Sequence, residues 1–297
     1  MQKPLFSVII PTYNNADVLP GAIDSICNQE ITDWELIIVD DGSEDETVEL
    51  LKNYSGDSRI KYFYQENKGV TAARNFGVQN ATGNYIAFLD SDDEVEANWL
   101  NDFQDLIKDS TQVGYVSCGY LRNGNEKLPK LDTKISSERY SSLAGTFALR
   151  RYVFLEIGGY DPVLKQSENW EMTARALDYC TKNNLSIEHT NNINFRYENH
   201  PTAAQTRLRD EYRGDATYHL YNKYKTGGVL HFRKDDLLLS SAVNYTRAGK
   251  FQKSRKVFYE NLKTHPSLGN LAKVLIFEIP ALRRRKWMRK NTELNDE

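Results

Sequence analysis

The run FLDSDD sets two aspartates, Asp90 and Asp92, one residue apart at the end of an apolar segment, with Ser91 between them. Carboxylates so spaced present oxygen ligands to a hard divalent cation such as Mn2+ or Mg2+. An ion held there would bridge the two phosphates of a nucleoside diphosphate and neutralise charge as that group departs. Two more polar runs follow apolar ones, PTYNN at 11–15 and DDGS at 40–43. Any one of them alone reads as ordinary turn chemistry. Together they line one edge, and in an open parallel sheet ligands bind outside the carboxyl ends of the strands.

The elements that must position these residues are legible as patterns. FSVIIP, WELIIVD, IKYFYQ and YIAFLD are short β-rich runs, three of them nearly uniform in apolar residues, as suits strands buried on both faces. Helix-like segments near 16–28, 44–53 and 69–80 separate them, so the order βαβαβαβ predicts a mainly parallel sheet with right-handed crossovers. Ser43 followed by Glu46 predicts a capping box on the second helix. Further along, the pattern predicts a helix over 96–109, a strand in VGYVSCGYL, a polar loop or hairpin over 121–142, a strand in GTFALRR, a helix near 151–157, the turn GGYDP and a helix from about 168 to 183. Beyond about 205 the pattern is helical without clear strands. Its segment AVNYTRAGKFQKSRKVFYENLKTHPS resembles one hairpin of tetratricopeptide type, but a solenoid needs about three copies.

The composition sets limits on function. With 297 residues, 40% hydrophobic and 27% charged, and a formal net charge of −3, the chain reads as an ordinary globular protein and not as a nucleic-acid binder. Cys27, Cys118 and Cys180 are too far apart for a zinc ribbon or redox pair, which predicts a reducing cytosol. The first residues lack the apolar core of a secretory signal, and no apolar run approaches the ~18 residues of a membrane span. Between 273 and 290, seven Lys or Arg residues stand against the single acid Glu278, beside Trp287 and Met288. That excess suits an anionic membrane surface, at ~1 kcal/mol for each cation near it.

SVIIPTYNN, IIVDDGSEDET, NKGVTAARNFGVQNATGNYIAFLDSDD and GGYD occur in this order over about residues 5–200 and together resemble family 2 of the glycosyltransferases. The resemblance implies an α/β fold with the mainly parallel, Rossmann-like sheet of the A-type glycosyltransferase fold. It implies a catalytic domain over 1–204, its nucleotide-sugar half about 1–95 and its acceptor half about 96–204, followed by a helical C-terminal region over 205–297. Pro11, Thr12 and Tyr13 would then border the base and ribose of the donor, with Tyr13 as a stacking surface, and Asp41 would accept hydrogen bonds from the base. Lys68, Gly69, Arg74 and Asn75 match the family's GxxxARN segment, where Gly69 allows close backbone approach and Arg74 reaches the diphosphate or supports the acidic cluster. Asp90 would contact the ribose or sugar, Ser91 the phosphate, and Asp92 with Asp90 the metal. FRYENHP is similar to a later family segment that brings a histidine to the metal or the diphosphate, so His200 is a candidate third metal ligand. The implied donor is a nucleotide-diphosphate sugar, UDP-linked first of all, and the implied acceptor a glycan or lipid-linked glycan of a bacterial cell envelope. The expected location is the cytoplasm, with peripheral contact to the inner membrane face through residues 268–290.

One stretch departs from that pattern. An inverting transferase needs a carboxylate to take the acceptor's proton. In much of the family this is the Asp of an ED pair on a helix that ends in Arg, and ENWEMTAR matches with Arg175 in register but Asn169 in the Asp position. An amide cannot serve as that base. Three readings stand: Glu171 or Glu168 supplies the base, Glu171 preferred because Glu168 sits near the helix start where its charge has a structural use; the enzyme retains anomeric configuration, as ENxE is also similar to a segment of the polypeptide N-acetylgalactosaminyltransferases; or the chain is a nucleotide-sugar-binding scaffold without turnover, or takes its base from elsewhere. Asn169 and Trp170 would face the acceptor in each. A sugar nucleotidyltransferase would expect a Gly-rich basic loop after the first strand, and PTYNN is not one.

Overall fold

The computed structural model describes residues 3–129, 143–197 and 201–288. The chain forms two compact units, Met1–Pro162 with Glu168–Asn199, and Val163–Ser167 with His200–Glu297.

The first unit runs β1 (Phe6–Thr12), α1 (Leu19–Cys27), β2 (Trp34–Asp40), α2 (Thr47–Leu51), β3 (Ile60–Tyr64), α3 (Val70–Asn80), β4 (Tyr85–Phe88), α4 (Trp99–Ile107), β5 (Val113–Arg122), β6 (Asn125–Lys127), β7 (Phe147–Arg150), α5 (Arg151–Glu156), α6 (Glu168–Lys182) and β8 (Ser186–Tyr197). One sheet has the order β3-β2-β1-β4-β7-β5-β6, and β8 pairs with β5. β1, β2, β3 and β4 are mutually parallel, while β7 is antiparallel to both β4 and β5. Every residue of β1 and β2 is buried because each face of these strands meets a helical layer. Val8, Ile10, Leu36 and Ile38 pack against Ile23 and Ile26 of α1 and Trp99 and Phe103 of α4. Ile9, Ile37 and Val39 pack on the opposite side with Ala73 of α3, Phe154 of α5 and Met172 of α6. This two-sided burial is why the strands read as continuous apolar runs.

One expectation is corrected. No capping box forms at Ser43: α2 begins later, at Thr47, with Asp45 Oδ1 accepting from the Thr47 amide and hydroxyl, while Ser43 Oγ accepts from the Asn14 amide instead. A cross-loop bond took the hydroxyl that the local pattern assigned to the helix. A strand that no pattern predicted is β8, whose sequence SIEHTNNINFRY carries no apolar run to mark it. Its polar side chains are satisfied by tertiary partners, for Asn192 and Asn194 both donate to Asp102 Oδ2, at 2.9 and 2.7 Å.

At the other end of the strands from the candidate site lies a buried carboxylate, Glu35. Its Oε1 accepts from Ser7 Oγ and from the amides of Thr82 and Gly83, and Oε2 from Lys61 Nζ at 2.6 Å. Burial alone would push this carboxyl up, but Lys61, Ser7 and Thr82 outweigh it and hold the value down to about 2 against an ordinary 4.5. A carboxyl depressed in the folded state contributes stability above its unfolded value that is lost as pH falls through the folded one. Glu35 therefore stabilises the sheet by ~3 kcal/mol near neutrality, a contribution that disappears between about pH 5 and 2. Glu35→Gln is expected to lower stability at pH 7 and to flatten that acid limb, as read by denaturant unfolding at a series of pH values; an unchanged limb would remove Glu35 as its source.

The second unit is helical: α7 (Ala203–Tyr224), α8 (Lys234–Arg247), α9 (Phe251–Thr264), α10 (Leu268–Glu278) and α11 (Pro280–Trp287). A capping box at Thr202 and Gln205 starts α7. Leu220, Leu238, Ala242, Phe258 and Phe277 are buried within the unit. No helix among the described residues is long and apolar enough to cross a membrane.

Candidate active site

The three strand-end loops are fastened to one another. After β1 the chain turns through Asn14, a non-glycine residue at φ +52°, and its amide donates to Ser43 Oγ at 2.9 Å while its side-chain oxygen accepts from the Glu44 amide at 2.8 Å. Asn15 Nδ2 donates to Ser91 Oγ at 2.6 Å. PTYNN is thus bonded to the loops after both β2 and β4. This leaves the Tyr13 ring exposed and Thr12 Oγ1 buried with no partner among the described residues. Pro11, the last interior position of β1, is also buried. An orphaned buried hydroxyl calls for an explanation, and a ligand or water is one.

Asp41 closes the next side. Its Oδ1 accepts from Gln65 Nε2 at 2.6 Å and from the Lys68 amide at 2.8 Å, and Oδ2 from the Gly69 amide at 2.8 Å. Both oxygens of the expected base-binding residue therefore also pin the start of α3. Gly69 stands there at φ +88° with open space where a Cβ would go, so it is the backbone conformation, and not crowding, that asks for glycine. The Lys68 side chain is exposed.

Arg74, on α3, is fully buried and joins two parts of the site. It donates to Asp90 Oδ1 at 2.5 Å and to Glu168 Oε1 at 3.2 Å, and its guanidinium lies 5.3 Å from the Tyr160 ring centre. Burial works against its charge, and Asp90, Tyr160 and Glu168 more than offset that and raise its affinity for the proton. Its Nε has no partner among the described residues. The neighbouring Asn75 exchanges two hydrogen bonds with the backbone of Tyr160, at 2.8 and 2.9 Å. Gly159 sits at φ +68° where an added Cβ would lie 2.6 Å from Asn75 Oδ1, so the GGYD turn is built to close on the ARN segment.

Asp90, Ser91, Asp92 and Asp93 follow β4. Burial pushes the Asp93 carboxyl up to about 8, and the negative charges of Asp90 and Asp92 push the same way. Asp92 is exposed, and with Asp93, Glu94, Glu96, Val95 and Arg196 it lines a cavity of about 390 Å³. Among the described residues no three ligand-type side chains converge as a ready-made metal cage. That donor set fits a Mg2+- or Mn2+-like ion that takes one or two carboxylates and leaves its other positions to substrate phosphates and water. His200, the expected third ligand, lies outside the described residues.

The two glutamates of α6 have opposite surroundings. Glu171, preferred from the sequence as base, is 0% exposed, and Arg175 grips both its oxygens, Nε to Oε1 at 2.8 Å and Nη2 to Oε2 at 2.5 Å. Arg175 also donates to the carbonyls of Ile157 and Gly159, so the pair locks α6 to the GGYD turn. A buried carboxylate held through both oxygens by a guanidinium is disfavoured as a proton acceptor. Glu168 keeps 15% of its side chain exposed, and none of the described residues bonds its Oε2. Asn169 accepts from Tyr160 Oη at 2.6 Å, and Trp170 is half-buried. Tyr160 and Asp93 were not singled out from the sequence; the GGYD and DSDD motifs that hold them were the available signals.

A family model described as "Glycosyl transferase family 2" matches residues 7–168. The chain belongs to this family. Among curated members, EpsJ of Bacillus subtilis is 34% identical over 139 residues, 46% of this chain and 40% of EpsJ. TuaG of the same organism, a glycosyltransferase whose description places it in teichuronic acid biosynthesis, is 47% identical over 94 residues, 31% of this chain and 37% of TuaG. The chain thus spans less than half the length of either relative. Among solved structures, S. aureus TarS 1–349 in complex with UDP-GlcNAc aligns with a TM-score of 0.59 at 18% identity, over 93% of this chain and 79% of TarS 1–349. The mannosyltransferase PcManGT of Pyrobaculum calidifontis, in complex with GDP-Man and Mn2+, aligns with a TM-score of 0.60 at 16% identity, over 96% and 84%. Family 2 membership and the A-type glycosyltransferase fold agree with the sheet order and the helical C-terminal region.

Proposed function

We propose that the chain transfers a sugar from a nucleotide-diphosphate donor, UDP-linked in the first instance, to a glycan or lipid-linked acceptor in cell-envelope polysaccharide synthesis, with inversion at the anomeric carbon. The observation that carries this reading is the buried Arg74, which ties the cation-type acid Asp90 and the α6 acid Glu168 to one guanidinium. An acid on the donor side and an acid on the acceptor side are thereby held together.

Tyr13 stacks on the base, Thr12 and Asp41 offer it polar contacts, Lys68 supplies positive charge toward the diphosphate, and Arg74 supports the acidic cluster. Asp90 and Asp92 would hold Mn2+ or Mg2+, which when bound neutralises charge on the departing nucleoside diphosphate. Glu168 accepts the proton of the acceptor hydroxyl through Oε2, which none of the described residues bonds. The acceptor oxygen forms its bond to the anomeric carbon, and the electron pair of the old carbon–oxygen bond leaves with the diphosphate. Asn169, fixed by Tyr160, orients the acceptor by hydrogen bonding. Support for the substrate class comes from the description of TuaG and from the donors bound in TarS and PcManGT.

The test is a panel of nucleotide sugars with Mn2+ or Mg2+, scoring binding, slow donor hydrolysis and transfer. Binding with hydrolysis or transfer for one donor is the expected result. Binding without either, for every donor, would favour the scaffold reading. The anomeric configuration of the product, read by NMR, separates inversion from retention.

A further inference from the structure

Residues three and four apart share a helix face, and on α10 this brings Leu268, Leu271, Ala272 and Leu275 to one side. Leu268 is 87% and Leu275 56% exposed, and Leu271 is exposed with them. Ile279, between the two helices, and Leu282 of α11 continue the exposed apolar run. Single exposed leucines are ordinary, but five large aliphatic side chains within fifteen residues make a patch.

The inward side of the same helices is already committed. Val274 and Phe277 are buried, Phe277 packs on Phe258 with ring centres 5.0 Å apart, and buried Arg283 lies 4.0 Å from the centre of the Phe251 ring. The one acid between 268 and 288, Glu278, is held by Arg255 through two hydrogen bonds of 2.8 and 2.7 Å. Charge next to the apolar patch is therefore positive, with Arg284, Arg285 and Lys286 all exposed on α11 and half-buried Trp287 beside them.

We propose that this face of α10 and α11 docks on an anionic lipid surface, lying in the interface plane with the leucines inserted and the cations at the headgroups. Complementary charge argues for this occupant, since a net-basic apolar face meets its counter-charge in a membrane and meets its own sign in a second copy of the chain. Neither helix can span a bilayer, so the contact is peripheral. This inference stands apart from the glycosyl-transfer reading and needs no turnover to be tested.

The experiment is co-sedimentation of the full chain with vesicles of phosphatidylcholine alone or mixed with phosphatidylglycerol. Binding to the anionic vesicles, weakened by salt and nearly absent with the neutral ones, is the expected result. Leu271→Glu with Leu275→Glu is expected to lower partitioning more than about tenfold with unchanged thermal unfolding, because both side chains are exposed. Arg285→Ser with Lys286→Ser is expected to lower it about tenfold at low salt. No sedimentation of the wild type with anionic vesicles overturns the proposal, as does equal sedimentation of the leucine variant. A dimer abolished by Leu275→Glu, with vesicle binding unchanged, would assign the face to a second copy.

Discussion

Glu168→Gln is expected to lower kcat by about 10²–10⁴-fold, the usual contribution of a general base, while leaving donor affinity within a few-fold of the wild type. Glutamine keeps an oxygen for Arg74 to bond and Asp90 still supplies that buried guanidinium with a counter-charge, so the substitution removes proton acceptance at a smaller cost in stability than the loss of a sole partner. Glu171→Gln should behave differently. It breaks a buried bidentate pair and leaves the Arg175 guanidinium without its counter-charge, which destabilises the fold by about 3–5 kcal/mol. Its kinetic effect should therefore follow the loss of folded protein. The double variant Glu168→Gln, Asn169→Asp returns a carboxylate to the position where much of the family carries it and is expected to recover part of kcat. The measurements are kcat and KM at a fixed donor, together with urea unfolding of each variant. Full kcat in Glu168→Gln would sink the assignment of the base.

Asp92→Asn is expected to cost about 10³-fold in kcat/KM, equivalent to ~4 kcal/mol of lost charge stabilisation at the departing diphosphate. It should also abolish the Mn2+ dependence of donor binding. Asp92 is the informative position because it is exposed, whereas Asp90 is bonded to buried Arg74 and its replacement would disturb packing as well as ligation. Calorimetric titration of a UDP-sugar with and without Mn2+ checks this. If the affinity of Asp92→Asn still rises with Mn2+ as in the wild type, the cation is held by other groups.

Much of the fold was legible because its signals are local. The apolar runs of β1, β2 and β4, and the polar runs that end them, follow from strands buried on both faces and from turn chemistry within a few residues. β8 was not legible, because Asn192 and Asn194 are satisfied by an aspartate about ninety positions earlier in the chain. The Ser43 cap failed for a related reason, since its hydroxyl was taken by the Asn14 amide from another loop. In each case a polar group found a distant partner that no local window contains.

The candidate site divides along the same line. The sequence by itself determined the family, the strand-end acids Asp90 and Asp92, and the presence of two glutamates around an amide on α6. Tertiary structure alone decided which glutamate stands beside Arg74 and which is buried against Arg175. Helical periodicity gives the angle between positions 168 and 171 but not the rotation of the helix about its own axis. That rotation is set by burying Met172, Ala176, Leu177 and Cys180 against the sheet, which sends Glu171 inward to Arg175 and leaves Glu168 beside Arg74 at the edge.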